Sequence, residues 1–426
     1  MTKPDDNDRL RTGNLPPDPT AGARDYDPDA AEEEEERAKA EEVKRAERDA
    51  RAARFAAGKL SSLTRPAFDK MRRRRSGEDG PVPLPWSRTS EELHGGLWPG
   101  CWILVGGTGV GKSQWAFEVA YNAAVRHAVP VAYVGLELDE TGLVARLAAL
   151  GMHGRNPADR NGRPERVPWS GLYLGRGTPD PLRWFDGDPD PAGWPSNGLG
   201  ADVLAELDAA PFYLSTGEAR GGASGWSYRE IMRIAEDLRA AHPEGPALLV
   251  VDFLQLVGGD LYADHREDLR ERIGNAAYVG RMAARKHGIS VLLLSATARG
   301  YYSLFAGKGA KGENIPPLGD GDPGRFLGTG KESGETEYSA DGVLALCRGP
   351  WPKGAAPPDV WLAVAKSRTG RGPRAGWCCY GFDGTAFTEK EPPPPEAKPE
   401  APAGSSGTAG SSRVSREAGS RPPVED

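Results

Sequence analysis

The chain is short of cysteine, of long apolar runs and of net charge, and each shortage excludes something. Only four cysteines occur in 426 residues, at Cys101, Cys347, Cys378 and Cys379. None forms a C-x-x-C pair, and adjacent cysteines rarely bridge, so neither a disulfide framework nor a zinc spacing is present. No apolar run approaches the roughly 20 residues of a membrane-spanning helix. The first residues are polar and charged, unlike a secretory signal. Together these features predict a soluble, cytoplasmic protein with no membrane partner. The formal charge of −7 supplies no global attraction to nucleic acid, although a local basic groove is compatible with it. Glycine (56) and proline (38) are abundant and hydrophobic residues reach only 38%, so part of the length is not packed core.

The composition changes along the chain. Residues 1–29 are rich in Pro, Asp and Gly and are expected to be disordered. Residues 30–57 are almost entirely Ala, Glu, Lys and Arg. Glu33–Arg37, Glu35–Lys39 and Glu41–Arg45 fall at i,i+4 in the favourable order. With almost no apolar stripe, this segment reads as a solvated helix or charged linker, and a partner-binding arm is the other reading. Arg72–Arg75 is a short basic run of the kind found in solvated linkers. The N-terminal region is placed at 1–82, a folded domain at 83–388, and a Pro-, Ser- and Gly-rich disordered tail at 389–426.

Within the folded part, buried strands are predicted at Cys101–Val105, Val129–Leu138, Phe212–Ser215, Ala247–Val257 and Ile289–Ser295, with later ones at Gly342–Cys347 and Val360–Ala365. Helices are predicted at Gln114–Val125 and Glu140–Leu150. A third opens at a capping box, Ser227-x-x-Glu230, with Ile231, Ile234, Ala235 and Leu238 on one face. A fourth carries Leu269, Ile273, Ala276, Ala277 and Gly280 and can end at Gly288. Residues 151–200 read as an irregular insertion. Alternating strands and helices predict an α/β fold around a mostly parallel sheet, with helices on both faces.

The chemistry concentrates at strand ends. Gly106-Gly107-Thr108-Gly109-Val110-Gly111-Lys112-Ser113 fits G-x-x-x-x-G-K-[ST], between an apolar strand and a helix. In such a loop, backbone N–H groups surround phosphate oxygens, Lys112 reaches the β- and γ-phosphates, and the Ser113 hydroxyl ligates Mg²⁺. The helix beginning there directs its positive end at the anion. ATP and Mg²⁺ are therefore the expected cofactors. Asp252 closes the apolar run Leu248-Leu249-Val250-Val251, which is where a P-loop NTPase delivers its metal-binding carboxylate. Glu137 ends the second strand. By position alone it is either the group that activates water or an exposed carboxylate.

Five further segments occur in order: Val134-Gly-Leu-Glu-Leu-Asp with Arg146, Val251-Asp-Phe-Leu-Gln-Leu256, Ser295-Ala-Thr-Ala-Arg299, Lys331–Asp341 and Lys366-Ser-Arg368-Thr-Gly370. In that order they resemble the ATPase domain of DnaB-type replicative helicases, members of the RecA-like P-loop superfamily. The resemblance spans about residues 93–387. It implies that Glu137 activates the attacking water and that Gln255 links nucleotide state to DNA-facing loops. It also implies that Lys366 and Arg368 enter a neighbouring subunit's site, Arg368 as an arginine finger. A finger in trans requires a ring or filament, and a homo-hexamer is the expected assembly. Two departures stand out. Ala296 occupies the position where the family usually has Gln, and residues 1–80 do not resemble the family's helical N-terminal domain. Dedicated primase coupling is therefore not expected, though another replication partner protein remains compatible.

The resemblance also implies that single-stranded DNA meets loops near 258–268 and 298–330. The second loop carries Arg299, Tyr301, Tyr302, Lys308 and Lys311, residue types that stack on bases and pair with phosphates. The other reading is a surface loop whose Tyr–Tyr–x–Leu–Phe segment packs locally. The sequence thus predicts an ATP-dependent DNA helicase. A RecA-like regulatory or recombination ATPase, binding nucleic acid or protein without processive unwinding, is the alternative.

Overall fold

The computed structural model describes residues 28–155, 166–177, 180–186, 199–216, 227–257, 269–307, 318–330, 340–349, 357–370, 372 and 376–391. The chain divides into two units, Met1–Asp79 and Gly80–Asp426.

The first unit holds two helices, α1 (Pro28–Ala57) and α2 (Leu60–Ser76). Lys39 pairs with Glu35 at 2.7 Å, one of the expected i,i+4 contacts. The Arg72–Arg75 run, which reads in sequence as a solvated linker, instead lies in the last turns of α2. Cationic side chains there face the negative end of the helix dipole. Gly77, at φ +85°, ends α2 by donating its N–H to the Arg73 and Arg74 carbonyls.

The second unit contains α3 (Ser87–Glu92), β1 (Gly100–Gly106), α4 (Lys112–Tyr121), β2 (Val131–Gly135), α5 (Glu140–Met152), α6 (Trp169–Leu174), α7 (Leu199–Ala209) and β3 (Phe212–Thr216). It continues with α8 (Tyr228–Ala241), β4 (Leu248–Asp252), α9 (Leu269–His287), β5 (Ser290–Ala296), α10 (Tyr302–Phe305), β6 (Gly342–Arg348), β7 (Val360–Ser367), β8 (Trp377–Phe382) and β9 (Phe387–Lys390). One sheet runs β3-β2-β4-β5-β1-β6-β7-β8-β9. The pairs from β3 to β6 are parallel, and those from β6 to β9 are antiparallel.

The central strands are covered on both faces, which is why they read as unbroken apolar runs. On β4, Leu248 and Val250 join the core formed with α4 and α5, whereas Leu249 and Val251 join the core under α8 and α9. Tyr133 of β2 and Trp102 and Leu104 of β1 face the first core, and Ile103 and Val105 face the second.

Several sequence expectations are corrected. The strand expected over Ala247–Val257 stops at Asp252, and Leu254–Leu256 form one turn of 3₁₀ helix. Leu254 and Val257 are apolar because they are buried in the second core, not because they extend the ladder. The insertion is not irregular throughout. Its described parts include α6, a 3₁₀ turn and the start of α7, and they share a small core of Met152, Val167, Trp184 and Val203. The capping box does not form: Ser227 makes no side-chain cap, and Arg233 holds Glu230 through contacts of 2.9 and 2.5 Å. The Arg233–Glu230 pair, charged on both sides, takes the carboxylate that a capping box would direct at the Ser227 N–H. The antiparallel strands β8 and β9 have no counterpart among the sequence expectations. Glu389, expected to begin the tail, belongs to β9, and its carboxylate accepts the backbone N–H groups of Arg88 and Thr89 at 2.9 and 3.0 Å.

Candidate nucleotide site

Because β1, β2, β4 and β5 are parallel, their carboxyl ends lie along one edge of the sheet. Gly106 is in register with Ala296, and Gly135 with Asp252. The loop after β1, the segment after β2 and the end of β4 therefore converge, although they are far apart in sequence.

The phosphate loop has the backbone its glycines permit. Gly109 and Gly111 adopt φ +75° and +102°, in the left-handed region where a side chain is disfavoured. Gly111 has a second constraint, since a Cβ there would lie 2.7 Å from the Phe387 ring. That ring stacks on Phe382 at 4.4 Å, so β9 supports the loop from below. Two further bonds fasten α4 to the same hairpin. Gln114 donates to the Thr385 carbonyl at 2.6 Å, and the Phe387 N–H donates to Glu118 at 2.8 Å. Burial pushes the Glu118 carboxyl well above its ordinary range.

Lys112 donates to the carbonyls of Gly106 and Gly107, each at 3.0 Å. Burial lowers its pKa, and Asp252 and Glu137 act in the opposite direction. Asp252 is buried, accepts from the Tyr133 hydroxyl at 2.8 Å and has Ser113 beside it. Burial raises its pKa, while Tyr133 first and Ser113 second oppose the rise. Ser113 and Asp252 thus present a hydroxyl and a carboxylate side by side, a hard-oxygen pair suited to Mg²⁺ completed by phosphate oxygens and water. Among the described residues no group of three His, Cys, Asp or Glu side chains gathers, and a magnesium bound in this manner requires none. The glycine cradle and this pair fit a nucleotide with its magnesium.

Glu137 stands at the exposed rim, two residues beyond Gly135. Its pKa is raised by desolvation first and by the Asp252 charge second, while Lys112 and Arg146 oppose the rise. Arg146, on α5, sits over the Trp169 ring at 4.4 Å. Gln255 extends one amide to both atoms of the next strand end: it donates to Ser295 Oγ at 2.9 Å and accepts from Ala296 N–H at 3.3 Å.

Other predicted residues fall elsewhere. Lys366 and Arg368 lie where β7 meets the start of β6, and Arg368 pairs with Asp341 at 3.1 Å. Asp341 also accepts the Cys101 N–H at 3.0 Å, which puts Arg368 beside the amino end of β1. The length of β1, roughly 20 Å at about 3.3 Å per residue, separates it from Gly106. Arg299, Tyr301 and Tyr302 are exposed. Tyr302 lines a cavity of about 270 Å³ with Gly107–Val110, Phe305 and Arg348. Phe305 is buried edge-on against Phe326 at 4.9 Å, so this part of the loop packs locally. Lys308 and Lys311 lie outside the described residues. Sequence reasoning missed Tyr133, Phe387 and Arg348. Arg348 ends an apolar strand as Asp252 does, but no motif marks it.

No protein-family model and no curated protein matches the sequence. Solved structures do match. One, described as an ATPase domain, is similar with a TM-score of 0.56 and 16% identity, over 78% of this chain and 99% of that one. A DnaB-like replicative helicase, described with its interactions with primase, is similar with a TM-score of 0.55 and 16% identity, over 78% of this chain and 67% of that one. The fold is a RecA-like P-loop domain: a mostly parallel sheet with helices on both faces. Among the described residues no helix is long and apolar enough to cross a membrane.

Proposed function

We propose that this chain is an ATP-dependent DNA motor of the DnaB-like type, coupling ATP hydrolysis between subunits to movement on single-stranded DNA. The observation that carries the reading is the separation of its parts. Lys112, Ser113, Glu137 and Asp252 gather at one edge of the sheet, and Arg368 stands near the other. In its own chain Arg368 is too distant to touch a phosphate held at Gly106–Ser113. In a ring or filament of identical chains, a homo-hexamer foremost, it reaches the neighbour's site.

The geometry supports the following division of labour. The backbone of residues 106–111 binds phosphate oxygens, and Lys112 exchanges its carbonyl partners for them. Ser113 and Asp252 hold the magnesium, which when bound supplies charge neutralisation across the phosphates. Glu137 orients a water and accepts its proton. Gln255 ties the end of β4 to the end of β5, so a shift of Asp252 passes to the segment beginning at Arg299. Ala296 favours a second reading: without a side-chain amide there, the chain acts as a RecA-like regulatory or recombination ATPase that binds nucleic acid or protein without processive unwinding.

Steady-state ATP hydrolysis with and without single-stranded DNA, with Lys112→Ala as the blank, tests the proposal. Stimulation by DNA that disappears in the variant supports a DNA motor, and strand separation in an unwinding assay selects it over the second reading. Turnover indifferent to DNA overturns the motor.

A further inference from the structure

We infer that Tyr133, seated on Phe117, is a positioning residue for the magnesium-binding carboxylate. The inference rests on the reading of Asp252 as that carboxylate.

Tyr133 occupies the third position of β2, and its side chain is wholly buried. It points to the α4 face of the sheet, and its hydroxyl donates to Asp252 Oδ2 at 2.8 Å. Its ring stacks on Phe117 of α4, with centroids 4.2 Å apart and planes within 19°. Phe212 closes the other side at 6.4 Å. Phe117 lies one helical turn beyond Ser113, so one aromatic pair spans the strand beside Asp252 and the helix that carries Ser113. The phenol therefore fixes one carboxylate oxygen, referenced to the helix bearing the other metal-binding oxygen. Asp252 itself ends its strand, and the chain turns away immediately into the 3₁₀ turn. The tyrosine hydroxyl is what orients its carboxylate from the β2 side.

Tyr133→Phe removes the hydroxyl and leaves the stack in place. The measurement is calorimetric binding of ADP to the full chain, with and without Mg²⁺. Wild type binds ADP more tightly with the metal. In Tyr133→Phe, metal-free affinity is unchanged, because neither the loop amides nor Lys112 touch Tyr133. The enhancement by Mg²⁺ falls by roughly 10- to 100-fold, the ratio that a lost hydrogen bond to a charged group gives. Phe117→Leu, which keeps the hydroxyl but removes its flat seat, lowers the same ratio by a smaller factor. Equal losses with and without metal, or an unaltered ratio in both variants, overturn the inference. A wild-type chain whose ADP affinity ignores Mg²⁺ sinks the Asp252 assignment itself, and the role of Tyr133 with it.

Discussion

Replacing Gly111 by alanine tests how the phosphate loop is supported. Two costs arise together. At φ +102° the residue lies in the left-handed region, where a Cβ costs roughly 1–2 kcal/mol. The added methyl would also lie 2.7 Å from the Phe387 ring. That ring cannot simply retreat: Phe382 stacks on it at 4.4 Å, Tyr380 and Trp86 press edge-on at 5.7 and 6.2 Å, and its N–H is held by Glu118. Overpacking of this kind adds about 1–3 kcal/mol. Gly111→Ala is therefore expected to lose about 2–5 kcal/mol of stability in urea unfolding. Only the steric part depends on Phe387, so a double-mutant cycle separates the two. Phe387→Leu alone destabilises by leaving space, and in combination with Gly111→Ala it relieves the clash. A favourable coupling of about 1–3 kcal/mol is expected, with the backbone cost of about 1–2 kcal/mol remaining. Strict additivity of the two substitutions would refute the claim that β9 braces the loop.

The remaining expectations concern charge. Because the Glu137 carboxyl sits above its ordinary value of 4.5, the acid limb of the turnover–pH profile is expected above that value, activity falling as pH drops and the base is protonated. Glu137→Gln is expected to lower turnover by roughly 10²- to 10⁴-fold and to abolish that limb, with nucleotide binding preserved in a filter assay. Burial would raise the Asp383 carboxyl, but His153, the Ala386 and Thr385 N–H groups and Arg166 outweigh it and hold the group well below its ordinary value. The depressed group therefore contributes stability that is fully present above about pH 4 and is lost as pH falls toward its folded value. Asp383→Ala is expected to cost about 1–3 kcal/mol in urea unfolding at pH 7 and somewhat less at pH 3, where the unfolded chain is largely protonated at this site but the folded carboxylate is still mostly ionised. An equal cost at both pH values would show that charge is not the cause.

The sequence by itself determined the α/β class of the fold and the placing of a glycine loop at one edge of its sheet. Runs such as Leu248–Val251 specify strands covered on both sides, and a glycine loop placed between such a strand and a helix specifies an anion cradle. Asp252 and Glu137 were legible because one ends a buried strand and the other lies two residues past one, and in a parallel sheet all such ends face one way. What the sequence could not supply was every relation between distant segments. Tyr133 looked like one more apolar residue of β2, and only the register of β2 with β4 sets its hydroxyl against Asp252. Phe387 sits in a short strand with no strong pattern, and its place beneath Gly111 follows from the antiparallel return of β8 and β9. The capping box failed because Arg233 competes for Glu230, a contest of energies that local spacing does not express. Tyr302 matched the residue types that stack on bases, and only the tertiary structure shows that it shares a cavity lining with the glycine loop. The distance between Arg368 and Gly106 likewise belongs to the tertiary structure: both flank apolar strands, and only the antiparallel direction of β7 places them at opposite ends of the sheet.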